Sequence, residues 1–281
     1  MDLLTPTSIR ALLDRHGIAP KKSLGQNFLA DPNTARRIAT LAALSPGDAV
    51  LEIGPGLGSL TLALLECGAE VRAVELDQRL ALALADVLGP DTEVDVRVAD
   101  ALHAPLDQLL ARDDGRGWTC VSNLPYNVAV PVVIRLLEEA PDVERVVVLV
   151  QREVGERLAA GPGDAQYGAV SVKVAYYSEA SLLGVVPPTV FMPRPKVDSV
   201  LVGLVRRAAP PVDVPEVAAL FGLVRSGFGQ RRKMLRRSLQ PVLGARTEAV
   251  LDAAGIAPTA RAETLGLEQW AAVARSAAVA A

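Results

Sequence analysis

Residues 123–126 read Asn-Leu-Pro-Tyr, four side chains whose types suit one job. Proline fixes its own φ, lacks a donor and biases the residue before it toward an extended conformation. An extended Leu124 lets its carbonyl and the Asn123 side chain face the same way, as two acceptors side by side. Tyr126 adds a flat π-face next to them. Two acceptors opposite an NH2 group, beside an aromatic ring, describe a pocket for the exocyclic amine of an adenine. Base-directed enzymes read a splayed or flipped base in this way, by its edge and its face. The plainer reading is a turn that ends a strand with proline at its corner.

The elements that must position this tetrapeptide follow from the pattern around it. Apolar strand-like runs at Ala49–Ile53, Glu70–Val74, Glu93–Val98, the segment ending Cys120–Ser122, and Arg145–Val150 alternate with helical stretches. Those stretches are Ser59–Cys67, Gln78–Leu88, Pro105–Leu110, Val130–Glu138 and Gln151–Ala159. Such alternation predicts a mostly parallel sheet with helices on both faces. Ala180–Val186 and Ser199–Val205 add two further strands, read as an antiparallel pair at the sheet edge. In front lie a helix over 7–15, a polar linker over 20–29 and a helix opened by Asp31-Pro32, with Asp as cap and Pro in the first turn. Arg206–Pro215, rich in proline, reads as a linker, and the remainder is helical with breaks at Gly227, Pro241, Gly255 and Pro258. The expected fold class is α/β, a Rossmann-like domain over 1–207 with an N-terminal helical extension and a small all-helical domain over 208–281.

A second chemical site precedes the tetrapeptide. Glycines 54, 56 and 58 join the first strand of the alternation to its helix and let backbone approach a ligand closely. The third glycine comes one residue early for a dinucleotide fingerprint. Glu52 stands just before the loop, where a pyrophosphate would be repelled and a cation tolerated. Glu75, ending the next strand, can accept both hydroxyls of a ribose. Asp100, ending the third, can accept an adenine amine. Together these residues describe a site for a nucleoside carrying no phosphate. The alternative for Glu75 and Asp100 is that each caps a helix.

Bulk composition narrows the class. The 281 residues are 50% hydrophobic with a net charge of −3, so the whole molecule is no basic nucleic-acid coat. Cys67 and Cys120 are the only cysteines, which disfavours a zinc site or a disulfide framework. No signal-peptide pattern opens the chain, and its apolar runs are far shorter than the ~20 residues that span a bilayer. A reduced cytoplasmic setting is expected. Positive charge is nonetheless segregated. Between Val217 and Thr247 there is no acidic residue, while Arg225, Arg231, Arg232, Lys233, Arg236, Arg237 and Arg246 are present. This reads as an RNA-binding footprint, extended by Lys21, Lys22, Arg194 and Lys196, and alternatively as a solvated face. His16 and His103 pair with no nucleophile and receive no role.

The Gly loop, the two strand-end acids and the tetrapeptide together resemble the Rossmann-like, S-adenosylmethionine-dependent methyltransferases. Further blocks make the chain similar, nearly end to end, to the ribosomal RNA adenine dimethyltransferases, and most to their bacterial small-subunit branch. These blocks are Leu24–Leu29, Gln151–Val154, Tyr167-Gly168, Phe191–Ser199, Phe228–Lys233 and Arg261–Leu265. The resemblance implies that Asn27 and the Leu29 backbone meet the cofactor's methionine end. It also implies that Gly54 and Gly56 line the cofactor, Glu75 holds the ribose, Asp100 meets the adenine, and Asn123 stands where cofactor and target adenine meet. Asn123, Leu124, Pro125 and Tyr126 form the expected catalytic loop, with Phe191 offered as the opposing stacking face or, alternatively, an ordinary core residue. Two departures flank the loop: Ser122 where glycine is expected, Ala129 where serine is.

The implied reaction is N6,N6-dimethylation of two adjacent adenosines in the 3′-terminal hairpin of 16S rRNA, within the small subunit or its precursor, linked to late subunit biogenesis. A monomer working with neither metal nor membrane is expected. The alternatives are a large-subunit rRNA adenine methyltransferase of the antibiotic-resistance type, a non-catalytic ribosome-assembly factor and a nicotinamide dehydrogenase. An intact acid pair and tetrapeptide disfavour the second, and the early glycine disfavours the third.

Overall fold

The structure is a computed structural model that describes residues 2–20, 25–112 and 114–279. The described chain divides into two compact units. One comprises Met1–Gly155 with Ser181–Arg206, the other Glu156–Ala180 with Arg207–Ala281.

In chain order the first unit opens with α1 (Pro6–Arg15), β1 (Phe28–Leu29), α2 (Pro32–Leu41), β2 (Ala49–Ile53), α3 (Ser59–Glu66), β3 (Glu70–Glu75) and α4 (Gln78–Leu88). It continues with β4 (Asp95–Val98), α5 (Leu106–Leu110), β5 (Trp118–Asn123), α6 (Ala129–Glu139) and β6 (Val143–Gln151). Helices α7 (Arg152–Ala159) and α8 (Ala169–Tyr177) precede β7 (Ser178–Val186), β8 (Phe191–Met192) and β9 (Ser199–Arg206). Seven strands form one sheet in the order β4-β3-β2-β5-β6-β9-β7. The pairs from β4 to β6 are parallel, and β9 runs antiparallel to β6. The two late strands therefore do lie at one edge, but β9 is inserted between β6 and β7.

Local chemistry explains the elements. Val146, Val147, Val148, Leu149 and Val150 of β6 are all buried, as a central strand covered on both faces must be. The Asp31 carboxylate accepts from the Thr34 N–H at 2.9 Å and caps α2. The Asp77 carboxylate accepts from the Arg79 N–H at 3.0 Å and caps α4. Arg206 closes α6, donating to the carbonyls of Leu136, Leu137, Ala140 and Val143 at 2.8–2.9 Å, where the helix end leaves acceptors unmet. At the N-terminal end of the strands, the guanidinium groups of Arg72 and Arg112 stand over the Trp118 ring, at 5.0 and 5.1 Å from its centroid. Its indole donates to the Leu110 carbonyl.

The expected linker over 20–29 is partly structured. Phe28 and Leu29 pair with Met192 and Phe191 in a separate two-stranded antiparallel sheet.

The second unit is helical. It adds α9 (Val217–Gly229), α10 (Leu235–Ser238), α11 (Gln240–Leu243), α12 (Thr247–Ala253) and α13 (Leu267–Val279) to α8. Trp270 is fully buried at its centre, against Gly227, where an added Cβ would lie 2.5 Å from the indole ring. Tyr167 packs edge-on to Phe228 and donates its hydroxyl to the Leu265 carbonyl at 2.8 Å. These contacts correct the expected single division at 207/208: the segment Glu156–Ala180, with Tyr167, Val172 and Tyr176, belongs to the helical core.

Gly58 opens α3 with φ +92°, and a Cβ there would lie 2.6 Å from Leu84 Cδ1, itself fully buried. Gly58→Ala combines left-handed strain with a packed neighbour, so it is expected to cost about 1–3 kcal/mol. A lower thermal midpoint relative to wild type checks this, and an unchanged midpoint refutes it.

Candidate active site

The strand order reverses between β2 and β5, the place where open α/β sheets offer a crevice. The ladders show it opening. β2 pairs with β3 through Ile53 and Val74, but with β5 only through Leu51 and Cys120. Beyond that point the Ile53 N–H donates to the Ser122 hydroxyl at 2.9 Å. A fully buried side chain thus satisfies a backbone group that the diverging strands no longer can.

A cavity of about 500 Å³ occupies the crevice. Asn27, Leu29, Gly54, Gly56, Glu75, Asp100, Asn123, Leu124, Pro125 and Tyr126 all line it, so residues spread over a hundred positions converge. Glycine is required by the geometry of the loop. Gly54, Gly56 and Gly58 all have positive φ, and a Cβ on Gly56 would stand 3.1 Å from the Phe28 ring.

The carboxylates differ in environment. Glu75 is buried, and its two oxygens accept from the Gly56 N–H at 3.1 Å and the Asp77 N–H at 3.0 Å. Burial pushes its carboxyl up, and those N–H groups oppose the shift. The Leu76 N–H adds to this support, and the carboxylate's four lone-pair sites still leave room for a ligand hydroxyl. Asp77, not Glu75, caps the helix that follows. Asp100 sits at the rim. Its oxygens meet His103 Nδ1 at 2.8 Å and the Leu102 N–H at 2.9 Å, which hold the carboxyl below its ordinary range. His103 therefore has a partner that sequence reading overlooked; the signal was the three-residue spacing Asp100 to His103.

Glu52, read in the sequence as the acid just before the glycine loop, has a defined partner. It is fully buried beneath the Gly loop, lines the cavity and accepts from the Thr61 hydroxyl at 2.6 Å.

The tetrapeptide is held from both sides. The Leu124 N–H donates to the Leu149 carbonyl at 3.2 Å, and the Leu124 side chain is buried. Asn123 Nδ2 donates to the Asn27 carbonyl at 3.1 Å, which commits the nitrogen end of that amide and leaves Oδ1 as its other end. Gly25, φ +65°, backs directly onto the loop, where a Cβ would lie 3.0 Å from the Tyr126 nitrogen. The Tyr126 hydroxyl bonds to the Ser199 hydroxyl at 2.9 Å, fixing the ring.

Phe191 corrects an expectation. It is buried in the core cluster and does not line the cavity. Its backbone instead pairs with Leu29, and the neighbouring Val190 carbonyl accepts from the Ala30 N–H at 2.7 Å. The cavity's aromatic faces are Phe28 and Tyr126.

The expected cations divide. Lys21 and Lys22 lie outside the described residues. Arg194, Lys196, Arg225, Arg232, Lys233, Arg236 and Arg237 are exposed. Arg231 is engaged: it donates to Glu263 at 3.1 Å and to the Ala165 carbonyl at 2.7 Å. The segment 231–237 is a turn leading into the short α10, not two continuous helical turns. Gln230, Lys233, Arg237, Gln240 and Pro241 border a cavity of about 470 Å³ in the second unit.

Burial pushes the Glu52 carboxyl from 4.5 to about 8, with the Thr61 hydroxyl opposing and the Glu75 charge adding to the shift. Between those pH values the folded, ligand-free chain holds a proton that the unfolded chain lacks, so stability falls as pH rises. Glu52→Gln is expected to flatten the decline in thermal midpoint between about pH 5 and pH 8. An unchanged slope refutes the assignment.

Comparison with known proteins agrees with this geometry. A family model described as ribosomal RNA adenine dimethylase matches residues 18–278. The chain is 47% identical over 274 residues to ribosomal RNA small subunit methyltransferase A of Thermobifida fusca (strain YX), spanning 97% of this chain and 95% of that protein. It is 48% identical over 274 residues to the protein of the same name from Leifsonia xyli subsp. xyli (strain CTCB07), spanning 95% and 96%. The crystal structure of the 23S rRNA methyltransferase ErmE is similar with a TM-score of 0.67 and 30% identity, covering 89% of this chain and 99% of that one. A match that runs through both units and takes in every cavity-lining block leaves one conclusion: the chain belongs to the ribosomal RNA adenine dimethylase family.

Proposed function

We propose that this protein transfers methyl groups from S-adenosylmethionine to the N6 amine of adenosines in small-subunit ribosomal RNA, twice on each nitrogen. The observation that carries the reading is the anchored Asn123 amide, whose nitrogen is held by the Asn27 carbonyl at the edge of the cavity. The choice of the small subunit rests on the curated relatives, which carry that name at 47–48% identity, against 30% for the 23S-directed neighbour.

The residues present suit the cofactor. Glycines with positive φ let the backbone approach it, with the Phe28 ring seated against Gly56. Glu75 keeps acceptor capacity toward the ribose, and Asp100 toward the adenine amine. Asn27 and Leu29 border the methionine end. Bound there, S-adenosylmethionine would supply an electrophilic methyl on a sulfonium, a leaving group good enough that no strong base is needed.

The chain's own task is to prepare the amine, whose lone pair is delocalised into the base. Asn123 Oδ1 and the Leu124 carbonyl accept its two protons, so the nitrogen can pyramidalise and aim its lone pair at the methyl. The Asn27 carbonyl takes the nitrogen end of the Asn123 amide, so Oδ1 is the end turned to substrate in this reading. This is positioning with electrostatic stabilisation where positive charge develops. An amide serves better than a carboxylate because it accepts without adding a buried charge. Tyr126 supplies the stacking face, its ring held by Ser199. Such stacking is worth roughly 1–3 kcal/mol per base.

No described helix is long and apolar enough to cross a membrane, and no cluster able to hold a metal occurs among the described residues.

A methyl-transfer assay tests the reading, with labelled S-adenosylmethionine and unmodified small subunits, large subunits and free RNA side by side. Dimethyladenosine in the small subunit alone is the expected product. Label in large-subunit RNA would move the protein beside the 23S enzymes, and absence of transfer would leave it a binding factor. Asn123→Ala should lower kcat at least about a hundredfold, the scale of losing one pre-organised acceptor.

The RNA footprint is tested away from Arg231, because a glutamate there would face Glu263. Arg232→Glu with Arg237→Glu should weaken RNA binding at least about tenfold at physiological salt and reduce the salt slope by about 2. Unchanged titrations at two salt concentrations would reject the footprint.

A further inference from the structure

Arg135 has no part in the chemistry above, yet it is tied to the site more firmly than a surface helix position requires. It lies on α6, one turn beyond Val132, which lines the cavity, and its side chain is only 15% exposed. Nη1 donates to the Ala101 carbonyl at 2.7 Å and Nη2 to the Ala104 carbonyl at 2.8 Å. Nε meets Glu139 at 2.9 Å, an exposed pair of little weight. The two carbonyls belong to the loop that carries Asp100.

That loop has few other supports. It follows β4, a four-residue strand at the edge of the sheet that pairs with β3 alone. Its own turn is closed by the His103 and Ala104 N–H groups, which donate to the Asp100 carbonyl at 3.0 and 2.8 Å. Those bonds shape the turn but do not fix its distance from the opposite wall. The guanidinium spans that distance, because α6 continues directly from the Asn123–Tyr126 loop.

We propose that Arg135 is a positioning residue that sets the enzyme's preference for a cofactor bearing adenine. It rests on the assignment of Asp100 to the cofactor's adenine amine. A fork of two divergent N–H groups holds both carbonyls, and with them Asp100, at one separation from α6. Lysine, with a compact point charge on a flexible stem, cannot reproduce that fork. The guanidinium charge also helps keep the Asp100 carboxyl ionised, after His103 and the Leu102 N–H. An ionised, well-placed carboxylate accepts from an adenine amine and repels the carbonyl oxygen that hypoxanthine carries at the same position.

The test is binding without RNA, by calorimetry, of S-adenosylhomocysteine and S-inosylhomocysteine to the full-length protein and to Arg135→Gln, Arg135→Lys and Glu139→Gln. Wild type should prefer the adenine form. Arg135→Gln should lose about tenfold in affinity for it, the scale of a severed buried hydrogen bond, and its preference should shrink by a similar factor. Arg135→Lys should lose at least about threefold of the preference, and Glu139→Gln should stay within about twofold of wild type. A wild-type preference retained in either Arg135 variant overturns the proposal, and the lysine variant decides if the glutamine variant fails to fold. Absence of any preference in wild type would instead sink the Asp100 assignment, and the proposal with it.

Discussion

The constraint on which the site depends is the parting of β2 from β5. A parallel sheet built outward in both directions from its first strand must leave a gap where the connections diverge. Here the backbone ladder between the two strands ends at Leu51 and Cys120, and the Ser122 hydroxyl takes over the Ile53 N–H. Past that bond the chain from β2 becomes the glycine loop and the chain from β5 becomes the Asn-Leu-Pro-Tyr loop. One gap therefore presents the glycine loop and the Asn-Leu-Pro-Tyr loop on facing walls. Serine at 122, a departure from the glycine expected there, fits because its side chain does the work of a missing ladder bond.

The remaining wall arrives from distant sequence. The segment after Gly25 crosses the tetrapeptide, gives the Asn27 carbonyl to the Asn123 amide and lays Phe28 on Gly56. It is kept there by Leu29 pairing with Phe191. Phe191 thus serves the site through its backbone, while its ring adds to the core. Tyr126 is likewise fixed by a residue seventy-three positions on, Ser199. In the proposed reaction, pre-organisation of this kind matters because the amine is bent toward its reactive shape without an added base.

Charge and stability are kept in separate places. The Trp118 ring with its two arginines and their ion pairs occupies the N-terminal end of the strands, away from the cavity at their C-terminal ends. In the helical unit, Gly227 and Phe228 pack on Trp270 while the cations that follow them in sequence stay exposed. One short block is therefore half core and half surface. Arg231 crosses that division, since Glu263 reaches it from outside the acid-free stretch.

Much of this was legible in the sequence because it is local. Strand–helix alternation, glycines at 54, 56 and 58, acids at strand ends and the proline-set tetrapeptide all act within a few residues, where periodicity and backbone sterics decide. The seven-stranded sheet and the cavity-lining places of Gly54, Gly56, Glu75, Asp100 and residues 123–126 follow from those local rules, whereas Asn27 and Leu29 come only from the family resemblance. What the tertiary structure alone decided depends on partners far apart in the chain. The strand pairing of Phe28–Leu29, the burial of Phe191, the membership of Glu156–Ala180 in the helical core and the partners of Arg231 and Arg135 are all of this kind. Side-chain type says what a residue can bond to. Only the folded chain decides which carbonyl or carboxylate stands within 3 Å of it.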